Sequence, residues 1–133
     1  MMRRFVSGAL TGLALLAASP VSPSAQPAAE PVKVVLANFS FTPADLALEA
    51  DKPVVLHFVN EGSGGHNFVA PEFFAAAQMD EATREQVGKK GVVELAKGES
   101  LDVPLTPKAG SYKVKCSHFL HAGFGMTGTV TVR

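Results

Sequence analysis

Beyond Pro31 the chain is a succession of short apolar, β-branched runs broken by turn residues. Strands are predicted over Val32 to Asn38, Leu46 to Glu49, Val54 to Asn60, His66 to Ala70, Ser100 to Leu105, Tyr112 to Cys116 and Thr127 to Val132. Between them lie turn-forming groups: Thr42-Pro43, Ala50 to Pro53, Glu61 to Gly65, Lys97-Gly98 and Lys108 to Gly110. Val114 between Lys113 and Lys115, and Val130 between Thr129 and Thr131, give these strands one wet face. Seven or eight such strands in an all-β domain fit a two-sheet sandwich or a closed Greek-key barrel. One segment follows another period. From Pro71 to Val87, Phe73, Phe74, Ala77, Ala82 and Val87 recur among acidic and basic residues before Gly88. That predicts a short amphipathic helix, or two abutting ones with Asp80 as the second N-cap, covering one flank of the strands.

The first residues carry a different pattern. Arg3 and Arg4 precede an apolar stretch from Phe5 to Ala18, and small residues follow to Ala25. This is the layout of a secretory signal peptide over residues 1–25, with cleavage expected between about residues 24 and 29. The competing reading is an uncleaved anchor, but the stretch is shorter than the roughly 20 residues a spanning helix needs. Proline is dense from Pro20 to Pro31, so residues 26–31 read as an extended tether into a domain over 32–133. Export implies a periplasmic, soluble protein without stable membrane insertion.

Composition narrows the chemistry. The 133 residues hold 12 basic and 12 acidic side chains, so no basic face for nucleic acid is expected. Without Arg3 and Arg4 the 12 acidic residues face 10 basic ones, a net charge of −2. A single Cys excludes an intrachain disulfide, a CxxC pair and any polythiol metal site. In an oxidising compartment a lone thiol needs an occupant.

That thiol heads the segment Cys116-Ser117-His118-Phe119-Leu120-His121-Ala122-Gly123-Phe124-Gly125-Met126, with the spacing Cys-x4-His-x4-Met between two predicted strands. Upstream, Gly65-His66-Asn67-Phe68 puts another imidazole at a strand start. Two imidazoles, one thiolate and a weak thioether form the donor set that suits copper in electron transfer. His118 is a competing imidazole. Two residues past Cys116, however, the chain has turned little, so His121 is the favoured partner of the thiol.

These motifs, with Asn38 to Pro43 at one end and Gly128 to Val132 at the other, resemble the cupredoxin family of small blue copper proteins, the group of plastocyanin, azurin, pseudoazurin and rusticyanin. The resemblance implies a cupredoxin-type Greek-key β-sandwich with a short helical insertion after the strand carrying His66. It implies one copper ion, Cu(II)/Cu(I), held by His66, Cys116, His121 and Met126. Asn67 is then expected to donate its N–H to the Cys116 sulfur and to tie the two ligand loops near Ser117, setting thiolate basicity. Plastocyanin-like relatives often have Cys-x2-His; the x4 spacing here is closer to azurin or rusticyanin. Phe119, Leu120, Ala122 and Phe124, with Pro43, would form an apolar docking patch over His121. The implied role is a monomeric one-electron carrier between redox partner proteins of the cytochrome or copper oxidase and reductase type.

Other readings give less. A copper-handling protein that sequesters or delivers the ion needs the same ligands, but the chain lacks Met-rich or His-rich tracts. Enzyme motifs such as GxSxG, HExxH or a phosphate-cradling loop are absent, so no catalytic residues are expected. A Cys116–His121 nucleophile pair has no third member to orient it. His57 reads as a sheet-face or core histidine, Met79 as packing or a wall of the copper pocket, and Asp80, Glu81 and Glu85 as the wet side of the helix.

Overall fold

In the computed structural model, which describes residues 19–20 and 30–133, the alternating runs form nine strands and two short helices. In chain order they are β1 (Val32–Ala37), β2 (Ser40–Thr42), β3 (Asp45–Leu48), β4 (Val54–Asn60), β5 (His66–Val69), α1 (Pro71–Ala76), α2 (Glu81–Val87), β6 (Val92–Leu95), β7 (Ser100–Leu105), β8 (Gly110–Lys115) and β9 (Thr127–Val132). The signal peptide expected over residues 1–25 and most of the tether lie outside the described residues. Two sheets form, ordered β2-β1-β4-β7 and β3-β9-β8-β5-β6. β1 runs parallel to β4 and β3 parallel to β9, and the other pairs are antiparallel.

Period-two alternation builds the core between the sheets. Val34, Leu36, Leu56, Phe58 and Val103 point inward from one sheet, and Leu46, Phe68, Val93, Val114 and Val130 from the other. Phe68 lies at the centre, edge-on to Phe41 at 5.4 Å and tilted on Phe58 at 4.9 Å. Because Phe68 follows the His66-Asn67 pair directly, aromatic packing anchors the strand that carries them.

The helical insertion follows β5 as two abutting helices. Asp80 caps α2 by accepting the Thr83 N–H at 2.7 Å, which also holds its carboxyl below the usual pKa, and Gly88 closes the helix at φ 69°. Phe73 and Phe74 bury the inner face, Phe73 edge-on to Tyr112 at 5.5 Å. The expected two-sheet sandwich with a short helical insertion after the strand carrying His66 is thus the observed architecture. Two strands go beyond the seven runs that the pattern marks. β2 has one inward residue, Phe41, and β6 has Val93 and Leu95, too few positions for a period to register.

Strand β9 re-enters the sheet at Gly128, where an added Cβ would stand 2.3 Å from the Ala44 carbonyl oxygen that accepts the Thr129 N–H. Gly128→Ala is expected to cost about 1–3 kcal/mol in a urea melt. Gly64→Ala, with nothing within 4 Å of its new methyl, is expected to stay within about 0.5 kcal/mol. Equal midpoints for the two variants would contradict this account of the seam.

Candidate metal centre

The loop that delivers His66 is shaped by a buried amide. Asn60, 1% exposed at the end of β4, donates to Gly64 O at 2.8 Å and Leu95 O at 3.0 Å and accepts from Gly62 N at 2.9 Å. With all these bonds made, Glu61 to Gly65 turns tightly and starts β5 with the His66 side chain inside the protein. Gly62 has to be glycine: a Cβ there would stand 2.5 Å from His66 Nε2.

The other candidate donors come from the loop between β8 and β9. Cys116 N donates to Met126 O at 3.1 Å, and Met126 N to His121 O at 3.0 Å. These bonds close the loop on itself and link the three residues of the Cys-x4-His-x4-Met spacing through their backbones. Cys116 and Met126 are fully buried, while His121 is half-buried.

Fold and loop together bring His66, Cys116 and His121 to one place, with a donor atom from each lying within 4.8 Å of the others. His66 Nδ1 is 3.1 Å from His121 Nδ1, which is 3.4 Å from Cys116 Sγ. The proton on His66 follows from its far side. Asn38 Oδ1 accepts the Ser63 backbone N–H at 3.0 Å, which fixes the amide orientation. His66 Nε2, 3.1 Å from that oxygen, therefore donates to it and leaves Nδ1 with its lone pair facing the thiol and His121. Burial first, then the neighbouring His121 and His118, lower the His66 pKa, with Glu94 opposing them, so the ring stays neutral and able to ligate.

Asn67 ties the β5 strand to the segment after Cys116. Its Nδ2 donates to Ser117 Oγ and its Oδ1 accepts the Ser117 N–H, both at 2.7 Å. The expected Asn67 N–H to the Cys116 sulfur is not among the hydrogen bonds of the described residues. His118 does not join the cluster: its Nε2 donates to Glu94 at 2.6 Å and its ring stacks on His121 at 5.5 Å. Of the expected patch, Phe119, Leu120 and Phe124 are exposed and Ala122 is half-buried. His57 lies on the sheet face beside Asp102, 2.5 Å from its carboxylate. Met79 packs against the core and lines a groove with Phe74 and Arg84 at the helices, so it does not wall the cluster.

Sequence reasoning missed Asn38, Phe39, Asn60 and Glu94. Phe39 has a left-handed φ of 63° and sets its ring edge-on to His121 at 5.2 Å and against Phe124 at 5.1 Å. An aromatic residue in that conformation is strained, and such strain persists where surrounding contacts hold it. The pair Asn38-Phe39 between two apolar runs was the available signal for a turn. Glu94 reads as an ordinary outward residue of a short strand.

The model of the copper-binding plastocyanin/azurin family matches residues 29–133. The chain belongs to that family. Among solved structures, this cupredoxin is similar to auracyanin B at 26% identity, with a TM-score of 0.57 over 82% of this chain and 92% of that one. The dithionite-reduced auracyanin from the photosynthetic bacterium Roseiflexus castenholzii has a TM-score of 0.57 at 17% identity, over 80% of this chain and 99% of that one. Auracyanin A, a "blue" copper protein from the green thermophilic photosynthetic bacterium Chloroflexus aurantiacus, has a TM-score of 0.51 at 22% identity, over 78% of this chain and 100% of that one. The last two likenesses speak for the fold alone. A comparison with curated proteins returned no match. The donor chemistry of this cupredoxin fits the family's metal: two imidazole nitrogens and a soft sulfur face one another in a buried pocket.

In the metal-free protein the lowered His66 pKa has a defined consequence. The unfolded chain takes up the His66 proton near the ordinary value of 6.5, before the folded chain does. Stability is therefore expected to fall as pH drops through that value and to level out below the folded-state pKa. Nitrogen-resolved NMR of the imidazoles should show His66 as the Nε2–H tautomer, protonating below the ordinary value. A His66→Gln variant should lack that part of the pH slope in denaturant melts, and an unchanged slope would contradict the assignment.

Proposed function

We propose that this cupredoxin is an exported, periplasmic one-electron carrier whose single copper ion is held by His66, Cys116, His121 and Met126. The observation that carries this reading is the convergence of His66 Nδ1, Cys116 Sγ and His121 Nδ1 beside an exposed apolar surface. Bound copper supplies a one-electron Cu(II)/Cu(I) couple. The side chains provide a site acceptable to both oxidation states. The Cys116 thiolate and the Met126 thioether are soft donors, and the imidazoles suit the harder ion. Asn38 keeps the His66 lone pair directed inward, and Asn67 keeps the Cys116 loop against β5.

His121 is the more exposed imidazole of the set and the natural exit for an electron. Phe119, Leu120, Ala122 and Phe124 flank it in the same loop, and Phe39 extends the patch from the β1–β2 turn. An apolar face of this kind suits brief, small contacts with redox partner proteins, in which no substrate bond is made or broken. The basic pair, apolar stretch and small residues at the N-terminus support export. Both imidazoles are held by contacts outside the donor set, which favours a carrier that keeps its ion over a protein that hands it on.

Copper-loaded, oxidised protein is expected to be blue and to show one reversible one-electron wave. A colourless product would overturn the reading. Cys116→Ser should remove the colour while circular dichroism still reports a β domain. His121→Ala should bleach the protein and His118→Ala should not; the opposite result would reassign the ligand. Rapid loss of copper to a modest chelator would move the protein to the copper-handling class.

A further inference from the structure

His118 is the one imidazole near the cluster that the proposed carrier does not use. It lies two residues from Cys116, and its ring is 5.5 Å from His121 and 6.4 Å from His66. A third imidazole so close to a thiolate site is a competitor for the ion. Its ring edge lies over Gly65, where a Cβ would come within 3.1 Å of His118 Cε1. The absence of a side chain there lets the ring settle against the loop before His66.

What restrains it is Glu94. One carboxylate oxygen, Oε1, accepts from His118 Nε2 at 2.6 Å. The other, Oε2, accepts from Asn67 Nδ2 at 2.8 Å. Asn67 and Glu94 are register partners across β5 and β6, so the carboxylate is held by a buried amide on the neighbouring strand. The second N–H of that amide goes to Ser117 Oγ, in the chain segment that joins Cys116 to His118. The His118 and Glu94 side chains are 34% and 57% exposed, and pairs so exposed contribute little to stability. Fixing the position of a ring is a different task, and the two-sided hold on the carboxylate serves it.

We propose that Glu94 is a positioning residue that selects the ligating imidazole. By bonding His118 Nε2 it holds that ring over Gly65, outside the cluster of donor atoms, and so leaves the place beside Cys116 to His121. This rests on the ligand set of the proposed carrier. The role is specificity between two imidazoles of the same loop, exerted without contact with the metal.

The test compares copper-loaded wild type, Glu94→Ala, Glu94→Gln and Glu94→Ala/His118→Ala by visible absorption and electron paramagnetic resonance. Glu94→Ala is expected to split the single copper signal into two, one from each imidazole. Removing His118 as well should restore one wild-type signal, a rescue that a merely structural role would not produce. Glu94→Gln, which keeps an acceptor for Asn67 and offers His118 an amide, should retain one signal. In the metal-free proteins, the His118 Nε2–H should be an observable, slowly exchanging proton in wild type and vanish in Glu94→Ala. A single unchanged signal in Glu94→Ala, or a split that survives in the double variant, overturns the proposal. A wild type without the blue signal overturns the ligand set instead, and the imidazole proton then still reports whether Glu94 holds His118.

Discussion

The double hydrogen bond between the Asn67 side chain and Ser117 is the constraint on which the site depends. It joins positions 50 residues apart, one beginning β5 and the other leaving β8. The sheet alone does not do this work, because β5 and β8 share only the Val69↔Lys115 register pair. Past that pair the strands diverge, and the loop with Cys116 and His121 would be free to swing away from His66. Asn67 is 4% exposed, so its amide has little access to water, and breaking these bonds would strand buried polar atoms. The cost of leaving a buried amide unpaired is what makes the linkage firm.

Rigidity on this scale needs a firm base. Phe68 gives it by packing on Phe41, Phe58 and Phe74, so the residue next to Asn67 belongs to an aromatic cluster of the core. Asn60 then sets the loop before His66, and Asn38 takes the outer proton of its ring. Two asparagines thus place the histidine, and a third, Asn67, ties its strand to the Cys116 loop. Each offers an acceptor and two donors on a short, uncharged side chain, which lets the pocket be both polar and free of extra charge.

Much of this architecture can be read from the chain. Alternation marks the long strands because each has several inward positions, and the even spacing of Cys116, His121 and Met126 marks the loop because three donor types recur there at one interval. The family motif pointed to Asn67 and Ser117 as well. Asn38, Asn60 and Glu94 were not legible, for a common reason. Each is polar in a place where polar residues are ordinary, a turn, a strand end or an outward position, and its partner is distant: Asn38 reaches His66, Asn60 reaches Leu95, and Glu94 reaches His118. Such pairings depend on the register of β5 against β6 and the packing of one sheet on the other, which periodicity does not encode. Phe39 was hidden differently, since an aromatic residue in a turn gives no sign of a left-handed backbone.

The two imidazoles of the cluster are held by different physics, and the difference follows from where each lies. His66 is inside, where water is excluded, so a hydrogen bond from Nε2 to Asn38 fixes its tautomer and burial keeps it neutral. His121 is half-buried in the middle of the loop, where a polar partner would compete with water. Its neighbours are instead the edge of Phe39 and the face of His118. The Phe39 ring restrains orientation without adding a charge or a proton acceptor, and on that side it leaves an apolar exterior. A partner protein meeting this face would have little bound water to displace, whereas a carboxylate in the place of Phe39 would have to be desolvated at each encounter. The strained turn at Phe39 is therefore the means of supporting one side of a half-buried imidazole with carbon alone.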